Sequence, residues 1–169
     1  MKKHVLSLLV ENNSGVLSRI AGLFARRCFN IDSLTVGTTE DEALSRMTIV
    51  VTGDDQTLEQ IKKQLNKLVE VIKVVELSSG ESISRELVFI KVKADNKTRS
   101  NVIEISNIFR ANIVDVAKEG LILELTGDGS KIVAFMELME PFGILEFIRS
   151  GATGLQRGSL VLKQNEKVE

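Results

Sequence analysis

The sequence contains little of the chemistry on which most enzymes rely. Its 169 residues include one histidine, one cysteine, one proline and no tyrosine or tryptophan. A single cysteine excludes an intramolecular disulfide and any metal site built from several cysteines. We therefore expect no catalytic residue and no metal site in this chain.

The one histidine and the one cysteine are weak candidates for a catalytic pair. His4 stands near the start of the chain, where we expect a flexible or strand-edge position, whereas catalysis needs a held geometry. Cys28 follows Arg26 and Arg27, whose charges could activate a thiol. Because Cys28 also closes an apolar helix pattern, we expect the commoner fate of a free cysteine, a small buried hydrophobe.

Long apolar runs and an excess of one charge are also missing. The longest apolar runs, such as residues 5–10, are strand-sized and far from the roughly 20 residues of a membrane span. Basic and acidic residues number 22 and 23 and are interspersed, so no basic face indicates nucleic acid. The chain begins on a strand pattern without the apolar region of a signal peptide. These features predict a cytoplasmic protein without a membrane or nucleic-acid partner.

The first half of the chain alternates strand and helix patterns. Apolar runs and alternation predict four strands, at residues 5–10, 30–37, 45–52 and 69–77. Apolar residues at helical spacing predict one helix from Ser14 to about Arg27 and another after Gly53. The order is that of a ferredoxin-like domain, with both helices on one face of an antiparallel sheet. The other face stays open, so we expect so small a domain to find a partner.

The same order returns in the second half, after a short polar stretch at residues 78–82. Strands are predicted at residues 87–92, 113–117, 121–125 and 142–148, and helices at residues 100–111 and 130–139. The sequence Thr-Gly-Asp occurs at residues 52–54 and again at residues 126–128, although the halves share few other identities and the second hairpin is shorter. We interpret this pattern as a structural duplication.

The predicted fold class is therefore α+β, with two ferredoxin-like βαββαβ domains in tandem. The first domain is assigned to residues 1–78 and the second to residues 84–160. We expect a loop beyond Gly151, followed by a disordered tail at residues 161–169.

The turn after the first strand is the most informative site in the sequence. It reads Asn12-Asn13-Ser14-Gly15. One interpretation is a helix N-cap, with a glycine that frees the backbone. The other is that the free N–H groups of the first helical turn bind an anion such as a carboxylate, which Gly15 lets approach the backbone closely.

Asn30 is the second candidate. It lies where the first helix gives way to the second strand, an ordinary place for a C-cap or turn residue. In a dimer of ferredoxin-like domains, however, this strand start can border the first turn of the neighbouring chain.

Several segments together carry a family pattern. They are ENNSGVLSRIAGLF at residues 11–24, NIDSLTV at 30–36, LSRMTI at 44–49, QIKKQLNKL at 60–68 and NIFRANIVDV at 107–116. A tail with Arg149, Gly151, Arg157 and Gly158 adds a less dense match. Over nearly its full length the chain resembles the small regulatory subunit of acetohydroxyacid synthase, also called acetolactate synthase.

This resemblance implies an ACT domain that binds an effector and dimerises, followed by a second ferredoxin-like domain. It implies a large catalytic partner that carries thiamine diphosphate, a divalent metal and usually FAD. That enzyme condenses two pyruvates, or pyruvate with 2-ketobutyrate, toward valine, leucine and isoleucine. The small subunit holds none of these cofactors, activates the enzyme and confers feedback inhibition, typically by valine.

The resemblance also implies an effector site, since the family positions that match Asn12, Gly15 and Asn30 govern effector sensitivity. The predicted effector-binding residues are Asn12, Asn13, Ser14, Gly15, Val16, Leu17, Asn30 and Ile31. An amino-acid carboxylate would meet the N–H groups of the turn, its ammonium Asn30, and its side chain the apolar residues. Discrimination among valine, leucine and isoleucine rests on a methylene or two, worth about 1–3 kcal/mol, so the sequence leaves that choice open.

Three rival functions fit the sequence less well. An RNA-binding module of the same element order needs stacking aromatic residues, and strands one and three carry none. A small enzyme is disfavoured by the scarcity of His and Tyr. An ACT-bearing transcription regulator would need a helix-turn-helix segment, and the predicted elements leave no room for one.

Overall fold

A computed structural model of the chain describes residues 2–162. Most of the expected disordered tail, residues 163–169, lies outside the described residues.

The described chain forms two compact units. The first consists of residues 2–83 together with residues 152–162, and the second of residues 84–151. The second unit therefore ends earlier than the expected second domain at residues 84–160, and the domain limits themselves stay a prediction.

The first unit contains the predicted βαββαβ order. Its elements are β1 (Lys2–Glu11), α1 (Val16–Arg26), β2 (Ser33–Thr38), β3 (Leu44–Gly53), α2 (Asp55–Leu65) and β4 (Val71–Glu76). The strands pair antiparallel in the order β2-β3-β1-β4, so β1 is a central strand with a partner on each side. The fold class predicted from the sequence is confirmed.

The core of the first unit lies between this sheet and the two helices. Side chains at three- and four-residue steps form one apolar stripe on each helix and pack on alternate residues of the central strands. The stripes are Val16, Ile20, Leu23 and Phe24 on α1, and Leu58, Ile61 and Leu65 on α2. Both helices therefore cover the same face of the sheet, as the sequence pattern predicts.

The second unit repeats this architecture. Its elements are β5 (Ser82–Lys93), α3 (Arg99–Ile108), β6 (Asn112–Val116), β7 (Gly120–Gly127), α4 (Gly129–Met139) and β8 (Ile144–Arg149). The strand order β6-β7-β5-β8 matches that of the first sheet. Both sheets also contain a register shift at the same place, between Leu9 and Val10 in β1 and between Lys91 and Val92 in β5. No helix within residues 2–162 is long and apolar enough to cross a membrane.

The C-terminal segment, which we define as residues 152–162, lies against the first sheet on the face that the helices leave free. The N–H group of Ala152 donates to Ser33 Oγ at 3.2 Å, and Thr35 Oγ1 donates to the carbonyl of Ala152 at 2.8 Å. The N–H group of Arg157 donates to the carbonyl of Glu81 at 2.8 Å. The expected loop therefore includes a short strand, β9 (Thr153–Gln156), and its Leu162 is buried.

His4 is buried, which corrects the expectation of a flexible or strand-edge position. Its exposed fraction is 2%, and its Nδ1 lies 2.9 Å from Glu76 Oε1 of the neighbouring strand β4. Since β1 is a central strand, alternate residues from His4 onward, such as Leu6 and Leu8, face the helices.

The repeated Thr-Gly-Asp sequence caps a helix in each unit. The carboxylate of Asp54 accepts the N–H group of Thr57 at 2.7 Å, and that of Asp128 accepts the N–H group of Lys131 at 2.9 Å. Hydrogen bonds from Thr57 lower the pKa of Asp54 below its ordinary value. A capping carboxylate of this kind stabilises the fold while it is ionised.

We therefore predict that Asp54→Ala lowers the melting temperature at pH 7 and that this deficit vanishes in acid. The folded pKa of Asp54 is depressed, so its contribution is complete above the unfolded pKa of about 4 and is lost as the pH falls through the folded pKa. Thermal melts of both chains between about pH 3 and pH 7 measure the effect. Asp54→Asn is the matched control, because it keeps an acceptor without titrating. A deficit of Asp54→Ala that persists unchanged in acid would contradict this account.

Cys28 is exposed, which corrects the expectation of a buried side chain. Its φ of 56° is left-handed, and it follows the end of α1 in a Schellman motif. The N–H group of Cys28 donates to the carbonyl of Ala25, and that of Phe29 to the carbonyl of Phe24. Arg110, with a φ of 55°, takes the same position after α3. The apolar stripe of α1 ends before this residue, which the backbone turns outward.

We predict that Cys28→Gly raises the free energy of unfolding by about 0.5–1 kcal/mol, because glycine removes the Cβ strain of a left-handed residue. Chemical denaturation under reducing conditions measures it. Ala25→Gly, in the exposed part of the same helix, is the matched control and should cost about 1 kcal/mol. Equal destabilisation by both substitutions would contradict the conclusion that Cys28 is strained by its left-handed backbone.

Candidate effector site

The turn between β1 and α1 presents free backbone N–H groups. Gly15 is the N-cap of α1 with a φ of 87°, and no side chain caps the helix. Among the described residues, no hydrogen bond uses the N–H groups of Ser14, Gly15, Leu17 or Ser18. No heavy atom lies within 4 Å of the place where a Cβ of Gly15 would stand. An anion could therefore approach the positive end of the helix.

Asn12 holds this turn in place. Its Nδ2 donates to the carbonyl of Glu42 at 2.8 Å, and its Oδ1 accepts the hydroxyl of Ser45 at 3.1 Å. Its backbone N–H donates to the carbonyl of Ala43 at 2.7 Å. Both ends of the amide are thus engaged with the β2–β3 hairpin, so within one chain Asn12 positions the turn.

Of the other predicted residues at the turn, three are exposed and one is buried. Asn13 is exposed and donates from Nδ2 to Glu11 Oε2 at 2.9 Å, and Ser14 is also exposed. The side chain of Val16 is 4% exposed and belongs to the core, whereas Leu17 is 42% exposed. Of the two, only Leu17 offers its side chain to a ligand at the surface.

Asn30 is exposed and lies in the connection between α1 and β2. Its Nδ2 donates to Asp32 Oδ1 at 2.8 Å, and Asp32 Oδ2 accepts the hydroxyl of Thr52 at 2.6 Å. No hydrogen bond among residues 2–162 uses the Oδ1 atom of Asn30, which leaves an acceptor for an ammonium group. Ile31 beside it is partly buried against the core.

A single chain does not bring the two halves of the predicted site together. Gly15 precedes the first residue of α1, and Asn30 follows the last, Arg26, by four residues. Eleven helical residues span about 16 Å, so the two candidates stand at opposite ends of the helix. An α-amino acid carries its carboxylate and ammonium on one carbon and cannot reach both. The assignment of the eight effector residues stays a prediction, and it requires a second copy of the chain.

The equivalent turn of the second unit is partly closed by its own side chains, although no side chain caps α3. The carboxylate of Asp95 accepts the N–H groups of Lys97 and Thr98, each at 2.9 Å, and the Thr98 hydroxyl. These hydrogen bonds lower the pKa of Asp95, and the one from the Thr98 backbone contributes most to that shift. Arg99 Nη2 donates to the carbonyls of Ala94, Ala117 and Lys118 and ties the turn to the next hairpin.

The sequence alone missed these closing residues. The pattern Asp-x-x-Thr at residues 95–98 is a signal that could have shown them, since both residue types hydrogen-bond the local backbone. Among residues 2–162, no group of three or more His, Cys, Asp or Glu side chains could hold a metal ion.

Comparisons with known proteins agree with this architecture. A family described as "AHAS small subunit-like ACT domain" matches residues 6–73, and one described as "Small subunit of acetolactate synthase" matches residues 85–158. The crystal structure of the acetolactate synthase small subunit from Thermotoga maritima is similar, with a TM-score of 0.87 and 42% identity. It covers 95% of this chain and 100% of that one.

Two curated relatives show the same similarity along the chain. A probable acetolactate synthase small subunit from Archaeoglobus fulgidus is 55% identical over 157 residues, which cover 93% of this chain and 98% of the relative. The acetolactate synthase small subunit of Mycobacterium bovis is 56% identical over 157 residues, 93% of this chain and 94% of the relative.

The fold and the first turn thus define a protein of tandem ferredoxin-like domains whose first domain is an ACT domain. The chain belongs to the family of acetolactate synthase small subunits, which confirms the resemblance seen in the sequence. That family serves branched-chain amino-acid biosynthesis, and its members are regulatory subunits and not themselves catalytic.

Proposed function

We propose that this chain activates a large, thiamine-diphosphate-dependent acetolactate synthase subunit and makes it sensitive to feedback inhibition by valine or another branched-chain amino acid. The observation that carries the proposal is the open turn at Gly15, with its unpaired N–H groups. Thiamine diphosphate, a divalent metal and FAD belong to the catalytic partner in this proposal. We place the complex in the cytoplasm.

The carboxylate of the effector binds the turn. Four backbone N–H groups without a partner and the positive end of α1 favour a negative charge there. Arg19, one turn into the helix, forms an ion pair with Glu70, so the charge of Arg19 is already balanced. The specificity for a carboxylate therefore comes from the backbone.

The ammonium of the effector reaches Asn30 of the neighbouring chain, and its side chain lies between Leu17 beside the turn and the neighbouring chain's Ile31. Asn30 Oδ1 accepts a hydrogen bond from the ammonium, and Leu17 and Ile31 supply apolar surface. Since Gly15 and Asn30 stand at opposite ends of α1, each site combines the turn of one chain with the strand start of the other.

Each chain supplies one such turn. In the second unit Asp95 already occupies two of the equivalent N–H groups, those of Lys97 and Thr98, and places its own negative charge beside the others. A ligand would have to displace a carboxylate of the chain itself, so we assign effector binding to the first unit alone.

The proposal requires a dimer, and we predict that the full chain sediments as a dimer at micromolar concentration. A sheet with helices on one face leaves apolar surface and edge strands that a symmetric partner can cover, and Val36 on the edge strand β2 is 50% exposed. Analytical ultracentrifugation measures the state directly. A monomer throughout the micromolar range would rule out a shared effector site.

We predict that Gly15→Asp abolishes inhibition by valine while activation of the large subunit is retained. The new carboxylate occupies the N–H groups of the turn and repels the effector's carboxylate. Gly15→Asn is the matched control, because asparagine has the same shape, tolerates the left-handed backbone and carries no charge. Acetolactate formation by the reconstituted complex, titrated with valine, is the readout. Full inhibition of the Gly15→Asp complex would remove this turn from the effector site.

Mixing two damaged chains tests whether the site is shared. We predict that Asn30→Ala weakens valine binding by about 1.5–3 kcal/mol through a lost hydrogen bond to a charged group. A heterodimer of Gly15→Asp and Asn30→Ala chains then contains one intact site and one doubly damaged site, so partial inhibition returns. If each chain built its own site, every site in the mixture would stay singly damaged and inhibition would not return.

A further inference from the structure

The first unit contains a cavity on the face of its sheet that the helices do not cover. Its volume is about 540 Å³, in the range of small-molecule sites. The β2–β3 hairpin and the C-terminal segment form its two sides. The lining includes Leu9, Glu40, Asp41, Leu44, Arg46, Leu155, Leu160, Val161 and Leu162. None of the predicted effector residues contributes to it.

Arg46 is the polar centre of this cavity. Its Nε donates to the hydroxyl of Ser7 at 2.7 Å, and Ser7 is fully buried on the central strand β1, so the side chain is held in one orientation. Among residues 2–162, no hydrogen bond or ion pair uses the two terminal nitrogens of Arg46. Burial lowers the pKa of the Arg46 guanidinium and the charge of Glu40 opposes that shift. A half-buried guanidinium with two terminal nitrogens unused by residues 2–162 can still pair with a bidentate anion.

The opposite wall of the cavity is aliphatic. Leu9 is buried beneath it, and Leu155, Leu160 and Val161 of the C-terminal segment are 58%, 73% and 61% exposed. Three large exposed apolar side chains from residues 155–161 line one cavity and favour an apolar ligand.

The charges at the rim disfavour ligands that carry more than one negative charge most strongly. Glu40 and Asp41 both line the cavity, and Asp41 Oδ1 accepts the N–H group of Ala43 at 3.0 Å as part of the hairpin. Two carboxylates near a single guanidinium repel phosphates and other multiply charged anions.

We propose that this cavity binds a small carboxylate on an aliphatic chain, with Arg46 as its anchor. The carboxylate pairs with the terminal nitrogens of Arg46, and the aliphatic chain packs between Leu9 and the exposed side chains of the C-terminal segment. A ligand with an ammonium group beside its carboxylate is also accepted, because Glu40 and Asp41 stand at the rim.

The test is a calorimetric titration of the full-length Gly15→Asp chain with 4-methylpentanoate. The Gly15→Asp background blocks the turn of the effector site, so binding reports the cavity alone. We expect one site per chain. The double variant with Arg46→Gln should bind 4-methylpentanoate 10- to 100-fold more weakly than the Gly15→Asp chain. This is the effect expected from losing hydrogen bonds to a charged group. Glutamine places an N–H donor where Nε stood, so the bond to Ser7 is kept while the two terminal nitrogens are lost.

A second variant keeps the test independent of Arg46 and of the core. Leu160→Asp, in the Gly15→Asp background, puts a negative charge on the exposed apolar wall and should weaken binding at least tenfold. Val69→Asp is its control, since Val69 is 88% exposed and does not line the cavity. The Val69→Asp variant should bind 4-methylpentanoate as tightly as the Gly15→Asp chain does.

Leucine and 3-methylbutylamine distinguish the role of the ligand's carboxylate from that of its ammonium group. Leucine should bind the same site as 4-methylpentanoate and compete with it, whereas 3-methylbutylamine, which lacks a carboxylate, should not compete. The proposal is overturned if 4-methylpentanoate fails to bind the Gly15→Asp chain, if Arg46→Gln binds it unchanged, or if the amine competes as well as leucine. Loss of valine inhibition is irrelevant to these results, so the cavity and the effector site stand or fall separately.

Discussion

The central position of β1 is the constraint on which the first unit depends. Residues from Lys2 to Glu11 pair with β3, and the stretch from Leu6 to Val10 pairs with β4 as well. A strand held on both sides cannot slip, since a shift by one residue would turn every core side chain outward. The ladder continues one residue past β1, where Asn12 bonds the hairpin. The open turn at Gly15 is therefore placed by the sheet and by the side-chain amide of Asn12.

The two units share their framework and differ at the turn. Strand order, register shift, aspartate caps and Schellman motifs recur in both, and each recurs because the same backbone path creates the same unpaired groups. At the turn before the first helix the units diverge. The four N–H groups around Gly15 have no partner among residues 2–162, whereas in the second unit Asp95 accepts two of the four equivalent groups, those of Lys97 and Thr98.

The sequence predicted most of the fold because its apolar periodicity is local. The βαββαβ order and the helix capped by Asp54 follow from residues a few positions apart. The predictions for His4 and Cys28 were wrong because both relied on position along the chain, whereas the folded backbone decides which side chains are buried. Position in the chain placed His4 at an end, whereas the sheet made its strand central. The apolar pattern placed Cys28 inside, whereas a left-handed backbone after α1 turned it outward.

The sequence by itself determined the family, the element order and the residues of the first turn, since each depends on short stretches of chain. Only the tertiary structure decided that Asn12 is committed to the hairpin and that residues 152–162 return to the first sheet. The hydrogen bonds that show these two facts join residues 30 and 117 positions apart. Such contacts form only after the sheet has fixed its register, and no periodicity along the chain encodes them.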